Sequence, residues 1–115
     1  MIELVDLLFI FKVHQPYRLR KGFFWERSMF RKRVKEELFD FYFDSAKNRE
    51  IFERASKKCY FPSNDILLRL IDEFKREKKR VKVSFSISGV FLEQCENFSP
   101  DLLESFKQLS QTGCV

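Results

Sequence analysis

The feature that most constrains this chain is an apolar run close to its start, Leu4 to Val13, which stops shortly before a proline. Most of its members are β-branched, aromatic or leucine residues. A continuous run of this kind predicts a strand covered on both faces, as in a parallel sheet. Pro16 cannot donate a ladder hydrogen bond and restricts Gln15, so we expect the strand to end near His14.

A second predicted strand lies much further along the chain and has a different pattern. Its bulky residues alternate with serines at a period of two: Val83, Ser84, Phe85, Ser86, Ile87 and Ser88. Such alternation is typical of a strand with one apolar and one small polar face. Either face could lie under the helices. Gly89 is expected to end the strand, and residues 91–94 to begin a short helical turn.

Helical patterns fill the segments between and after these strands. Residues 27–58 have helical composition and predict more than one helix, with an interruption at Asn48. Pro62 to Asp65 predicts a new helix start, with Ser63 or Asn64 as the cap. The apolar residues that follow at helical spacing are Leu67, Leu70, Ile71 and Phe74.

The clearest local signal is Ser99-Pro100-Asp101, because a capping residue, a first-turn proline and an acid stand in the order a helix start requires. Its buried stripe would be Leu102, Phe106 and Leu109. Gly113 suits the residue just past the helix end, and residues 114–115 would open a third strand. Strands that alternate with helices in this way predict βαβ units around a parallel sheet.

Composition and charge narrow the function classes. Fifteen phenylalanines in 115 residues suit a piece of a larger core better than a small compact domain. The net charge of +5 permits nucleic-acid binding, but acidic and basic residues are interspersed, and we expect mostly solvated helix faces. A non-catalytic basic helical module that binds nucleic acid or a protein remains the alternative.

Several other classes are excluded or disfavoured. The start of the chain carries Glu3 and Asp6 where a signal peptide needs positive charge, and the apolar run is too short and too charged to span a bilayer. Three cysteines without C-x-x-C spacing and one histidine argue against a zinc site. We expect a cytoplasmic protein with reduced thiols, no membrane association and no cofactor.

Three stretches together point to a known family: His14-Gln15-Pro16 directly after the first strand, residues 59–64 (Cys-Tyr-Phe-Pro-Ser-Asn) and residues 85–94 (Phe-Ser-Ile-Ser-Gly-Val-Phe-Leu-Glu-Gln). In this order and spacing they resemble glycoside hydrolase family 57, in particular its α-amylase-like branch. The triplet alone is a weak signal, and the third stretch makes the match strong. The resemblance covers essentially the whole chain.

The resemblance implies an α/β fold in which residues 1–115 form the N-terminal part of a seven-stranded parallel (β/α) barrel, truncated at the start of the third strand. It also implies a substrate-binding role for His14, which would line the glucan site beside the catalytic nucleophile. Gln15 would order the same loop. A buried histidine satisfied by a backbone carbonyl is the other interpretation of His14.

The family's catalytic carboxylates, a glutamate nucleophile and an aspartate acid/base, would lie on strands beyond residue 115. Residues 113–115 match the opening of the motif that precedes them. The implied partner is an α-glucan such as starch, glycogen or maltodextrin, processed by retaining hydrolysis or glucan transfer. No nucleic acid is expected, and the chain could be one half of a split enzyme that a second chain completes.

Two further residues are weaker candidates for substrate contact. Trp25, with its neighbour Phe23 and with Tyr17, could stack on sugar rings or could anchor a loop to the barrel rim. Glu93, which follows the second strand, could act on substrate or could pair locally.

Overall fold

A computed structural model describes residue 5 and residues 7–21, 35–75 and 82–115 of the chain. Its elements are β1 (Ile10–Val13), α1 (Lys35–Tyr42), α2 (Ser45–Ala55), a π-helical turn (Ser56–Tyr60), α3 (Phe61–Phe74), β2 (Ser84–Ile87), α4 (Gly89–Phe98) and α5 (Pro100–Gln111). Within these ranges no helix has both the length and the apolar character needed to cross a membrane.

The two strands pair in parallel, with Ile10 opposite Ser84 and Val13 opposite Ile87. This confirms the predicted mixed α/β fold and its parallel pairing. The first strand is shorter than predicted, and of β1 only Val13 is buried. The expected cover on both faces is therefore absent from the described part of the chain.

The bulky face of β2 is the one that lies under the helices. Phe85 and Ile87 are half-buried, and Ser84 and Ser86, which alternate with them, are exposed. The Phe85 ring meets Phe106 of α5 edge to face, with ring centroids 5.5 Å apart. The stripe predicted for α5 is confirmed, since Leu102, Phe106 and Leu109 are all buried.

Aromatic rings join the helices into one core. Phe91 of α4 lies 5.6 Å from Phe52 of α2 and 5.8 Å from Phe106 of α5, measured between ring centroids. Phe52 and Phe91 have no exposed surface. Burial of each such side chain stabilises the fold by roughly 1.5–3 kcal/mol.

The predicted interruption at Asn48 was wrong, although more than one helix does form. The chain breaks at Phe43 and Asp44, and the Asp44 carboxylate caps α2 by accepting a hydrogen bond from the Lys47 N–H at 3.0 Å. Asn48 instead lies within α2 and is fully buried. Its amide is satisfied by backbone groups of Arg18, so the helix tolerates it.

The predicted helix start at residues 62–65 was also wrong. The helix continues from α2 through the π-helical turn into α3, and Pro62 lies in the first turn of α3 without a side-chain cap. A proline lacks the N–H of a regular helix, and a change from π to α bonding is a place that accommodates this loss. Asn64 is buried and donates from Nδ2 to Ser105 Oγ at 3.0 Å.

The predictions for residues 99–115 are confirmed only in part. α5 begins at Pro100 as predicted, but the Ser99 side chain makes no capping hydrogen bond. Gly113 has a φ of 74°, the left-handed conformation that its position after the helix requires. No strand forms at residues 114–115, although the Cys114 carbonyl accepts a hydrogen bond from the Val83 N–H at 2.9 Å.

Thiol reactivity offers a direct check of this packing. Cys59 is exposed, whereas Cys95 is buried in the core, where burial and then the charge of Glu96 raise the pKa of its thiol to about 12. At neutral pH a shift from 9.0 leaves about a thousandfold less thiolate. We expect iodoacetamide to modify Cys59 quickly and Cys95 only after denaturant is added, as followed by peptide mass spectrometry. Equal rates for the two thiols would contradict the core described above.

Candidate functional site

His14 stands at the carboxyl end of β1, directly after the buried Val13. Its ring is exposed, and Nδ1 lies 2.7 Å from the hydroxyl oxygen of Ser88. Ser88 in turn follows β2, and its N–H donates to the Val13 carbonyl at 3.1 Å. Because parallel strands end at the same edge of a sheet, the topology brings these two residues together at the edge where barrel enzymes place their sites. The alternative of a buried histidine bonded to a backbone carbonyl was wrong.

Ser88 also begins the next helix. Its hydroxyl oxygen accepts a hydrogen bond from the Phe91 N–H at 3.2 Å, which makes it the cap of α4. Ser88 thus follows β2, and its side chain both caps α4 and contacts the His14 ring.

Gln15 is held at three points. Its Nε2 donates to the Tyr60 hydroxyl at 2.8 Å, and its Oε1 accepts from Arg18 Nη2 at 3.3 Å. Its backbone carbonyl accepts from Gln94 Nε2 at 2.6 Å. The residue is half-buried and its polar groups are engaged, so Gln15 links the segment after β1 to the π-helical turn and to α4.

Tyr60 reaches Gln15 from the π-helical turn. Burial raises the pKa of its hydroxyl, and the hydrogen bond from Gln15 acts in the opposite direction. Because the pKa moves up from 10.0, the phenol stays protonated and neutral throughout the physiological range. π-Helical turns are frequent at functional sites, and here one places a side chain against the loop after β1.

Asn48 anchors the continuation of the loop. Its Oδ1 accepts from the Arg18 N–H at 2.8 Å, and its Nδ2 donates to the Arg18 carbonyl at 3.3 Å. Further on, Leu19 forms an antiparallel bridge with Phe43. The segment after β1 is therefore tied to α2 as well as to α4 and the π-helical turn.

Glu93 is exposed on α4 and lies toward Tyr17. Burial and then the negative charge of Glu93 raise the pKa of Tyr17, although the Tyr17 hydroxyl has no hydrogen-bond partner within bonding geometry. The Tyr17 ring packs against Phe39 and Phe43, at centroid distances of 5.1 and 5.5 Å. These contacts favour the anchoring interpretation of Tyr17. Trp25 and Phe23 lie outside the described residues.

The structure therefore brings His14 and Gln15 to one edge of the sheet, together with residues for which the sequence patterns predicted no functional role. Those residues are Ser88, Gln94, Tyr60 and Asn48. For Gln94 the sequence predicted only a short helical turn, whereas the structure buries its amide fully, and buried polar groups need partners. For Tyr60 no local pattern distinguished it from a core aromatic.

A bound metal ion needs several possible ligands of the chain in a suitable geometry. Among the residues that the structure describes, no three histidine, cysteine, aspartate or glutamate side chains come together as metal ligands would. The site holds one exposed imidazole and several hydrogen-bonding groups, among them the guanidinium of Arg18, which donates to Gln15 Oε1.

Comparison with known proteins defines the class. The sequence model of glycosyl hydrolase family 57 matches residues 8–115, and the chain belongs to this family. A protein of Methanocaldococcus jannaschii named "Putative alpha-amylase" is 38% identical over 109 residues, which cover 95% of this chain and 21% of that relative. The chain thus spans about a fifth of the relative's length. No solved structure matches it.

Proposed function

We propose that this chain is the N-terminal part of the catalytic barrel of an α-glucan-active glycoside hydrolase, of amylase or 4-α-glucanotransferase type. Membership in glycosyl hydrolase family 57 supports the glycoside hydrolase class. The parallel pair β1–β2, with helices between and after its strands, is compatible with the first units of a (β/α) barrel.

The observation that carries the proposed site is the position of His14. Its exposed ring lies at the carboxyl end of β1, and its Nδ1 atom is 2.7 Å from the hydroxyl oxygen of Ser88, the residue that follows β2. Retaining hydrolysis needs two carboxyl groups roughly 5 Å apart, and we propose that both of them lie outside residues 1–115, as the family resemblance implies. His14 would then bind a sugar hydroxyl beside the nucleophile, and Gln15 would hold its loop.

The test is the substitution His14→Ala in a polypeptide that carries this chain together with the rest of a family 57 catalytic domain. We expect kcat/KM on a maltooligosaccharide to fall by an amount equivalent to about 2–4 kcal/mol, because a polar contact that strengthens in the transition state is lost. The melting temperature should change little, since the ring is exposed.

A matched control is Lys12→Ala, which removes an exposed side chain from the same strand. This variant should retain the parent kcat/KM. An unchanged kcat/KM in His14→Ala would remove His14 from the site, and a large fall in its melting temperature would give the histidine a structural role instead.

A further inference from the structure

The contacts of Ser88 bear on the position of the His14 ring and also on which of its nitrogens carries the proton. A serine hydroxyl has one hydrogen to donate and two lone pairs that accept. The Phe91 N–H can only donate, so its 3.2 Å contact occupies one lone pair of Ser88 Oγ. The hydrogen of the hydroxyl remains to be placed, and the His14 Nδ1 atom lies at 2.7 Å.

Two arrangements of the hydrogens fit this distance, and they differ in whether a hydrogen-bond donor is left without an acceptor. If Nδ1 carried the proton and donated to Ser88, both lone pairs would be filled and the serine hydrogen would need a separate acceptor. If Ser88 donates to an unprotonated Nδ1, a single set of bonds uses the hydroxyl hydrogen, the capping lone pair and the ring nitrogen together. In the second arrangement the Ser88 hydroxyl hydrogen, the Phe91 N–H and the His14 Nδ1 atom all have partners among these three residues.

We infer that Ser88 is a positioning residue that fixes the tautomer of His14, with Nδ1 as an acceptor and the proton on Nε2. The exposed ring then presents an Nε2–H donor at the edge of the sheet. Through the proposed glucan-binding function, this means that His14 donates to an oxygen of the sugar and does not accept from a sugar hydroxyl while neutral. The hydroxyl of Ser88 acts on substrate only through this ring.

The chain offers an unusually clear probe, because His14 is its single histidine. Chain expressed with ¹⁵N-labelled histidine and without a histidine tag has one pair of imidazole nitrogen signals. Magic-angle-spinning NMR in alkaline buffer, where a free imidazole is neutral, reads the proton position from these signals even if the chain associates. No substrate is present, so the outcome does not depend on glucan binding.

We expect wild-type chain and Ser88→Thr to show the Nε2–H form, because both keep a hydroxyl that can donate. Ser88→Asp keeps an acceptor that caps α4 but cannot donate when ionised, so the ring should change to the Nδ1–H form. Protection of Cys95 from alkylation reports whether each variant retains its core.

An Nδ1–H signal in the wild-type chain would overturn the inference. So would an unchanged Nε2–H signal in a Ser88→Asp chain that still protects Cys95. A separate titration with maltotetraose tests the glucan-binding proposal alone: absence of any change at the His14 nitrogens would contradict that proposal and leave the tautomer assignment intact.

Discussion

A polypeptide of residues 1–115 is expected to release no reducing sugar from soluble starch. The family resemblance assigns catalysis to a glutamate and an aspartate that are not among these residues, and retaining hydrolysis requires both carboxyl groups. Binding contacts at His14 would persist, but binding alone does not accelerate the chemical step. The measurement is reducing-sugar release over several hours by purified chain beside buffer.

Glu93 supplies the matched control, since it is an exposed acid on α4, the helix that begins at Ser88. Glu93→Gln should be as inactive as the parent. Turnover clearly above buffer that disappears in Glu93→Gln would show that this chain holds its own catalytic acid, and the proposed division of the site would be wrong.

A second large effect concerns association. The large apolar side chains along and before β1 are exposed: Val5, Leu7, Leu8, Phe9, Ile10 and Phe11. Ile10 alone is 60% exposed. A contiguous apolar segment beside a strand edge is a template for pairing with another chain. We expect purified residues 1–115 to elute from size-exclusion chromatography as oligomers.

Charge placed on this segment should reverse the effect. Leu8→Lys combined with Ile10→Lys puts two charges two residues apart on this exposed segment and should shift the elution toward the monomer. Leu38→Lys, which changes a side chain of α1 that is 37% exposed, should leave the oligomers in place. A segment carrying the remaining barrel strands should also dissolve the oligomers when co-expressed, because it would cover the same residues.

A monodisperse wild-type monomer with fixed aromatic signals and a cooperative melt would contradict this expectation. It would show that these residues form a domain in their own right, and the proposal of an N-terminal barrel part would fail with it.

The sequence predicted those elements whose signals are local. The start of α5 follows from Ser99-Pro100-Asp101, and the alternation of β2 follows from side chains on one short strand. These patterns depend on neighbours within a few residues, where propensity and periodicity have direct physical causes.

The wrong predictions include residues whose hydrogen-bond partners lie far away along the chain. Asn48 has a low helix propensity, and Pro62 commonly starts a helix, so both suggested boundaries. Asn48 is held within α2 because its amide finds both backbone groups of Arg18, a contact between distant parts of the chain. The Ser88–His14 bond is equally non-local. A local sequence pattern does not predict side-chain partners that only the fold brings together.

The π-helical turn has a consequence for the phase of the helix that contains it. At about 3.6 residues per turn, the interval between Phe52 and Ile71 would leave these side chains about 100° apart around an uninterrupted α-helix. Both are buried in the same core. The additional residue that Ser56–Tyr60 accommodates rotates α3 back into register with α2. A single core therefore lines both halves of the helix, and a deletion of one residue within this turn would be absorbed without turning either half away from it.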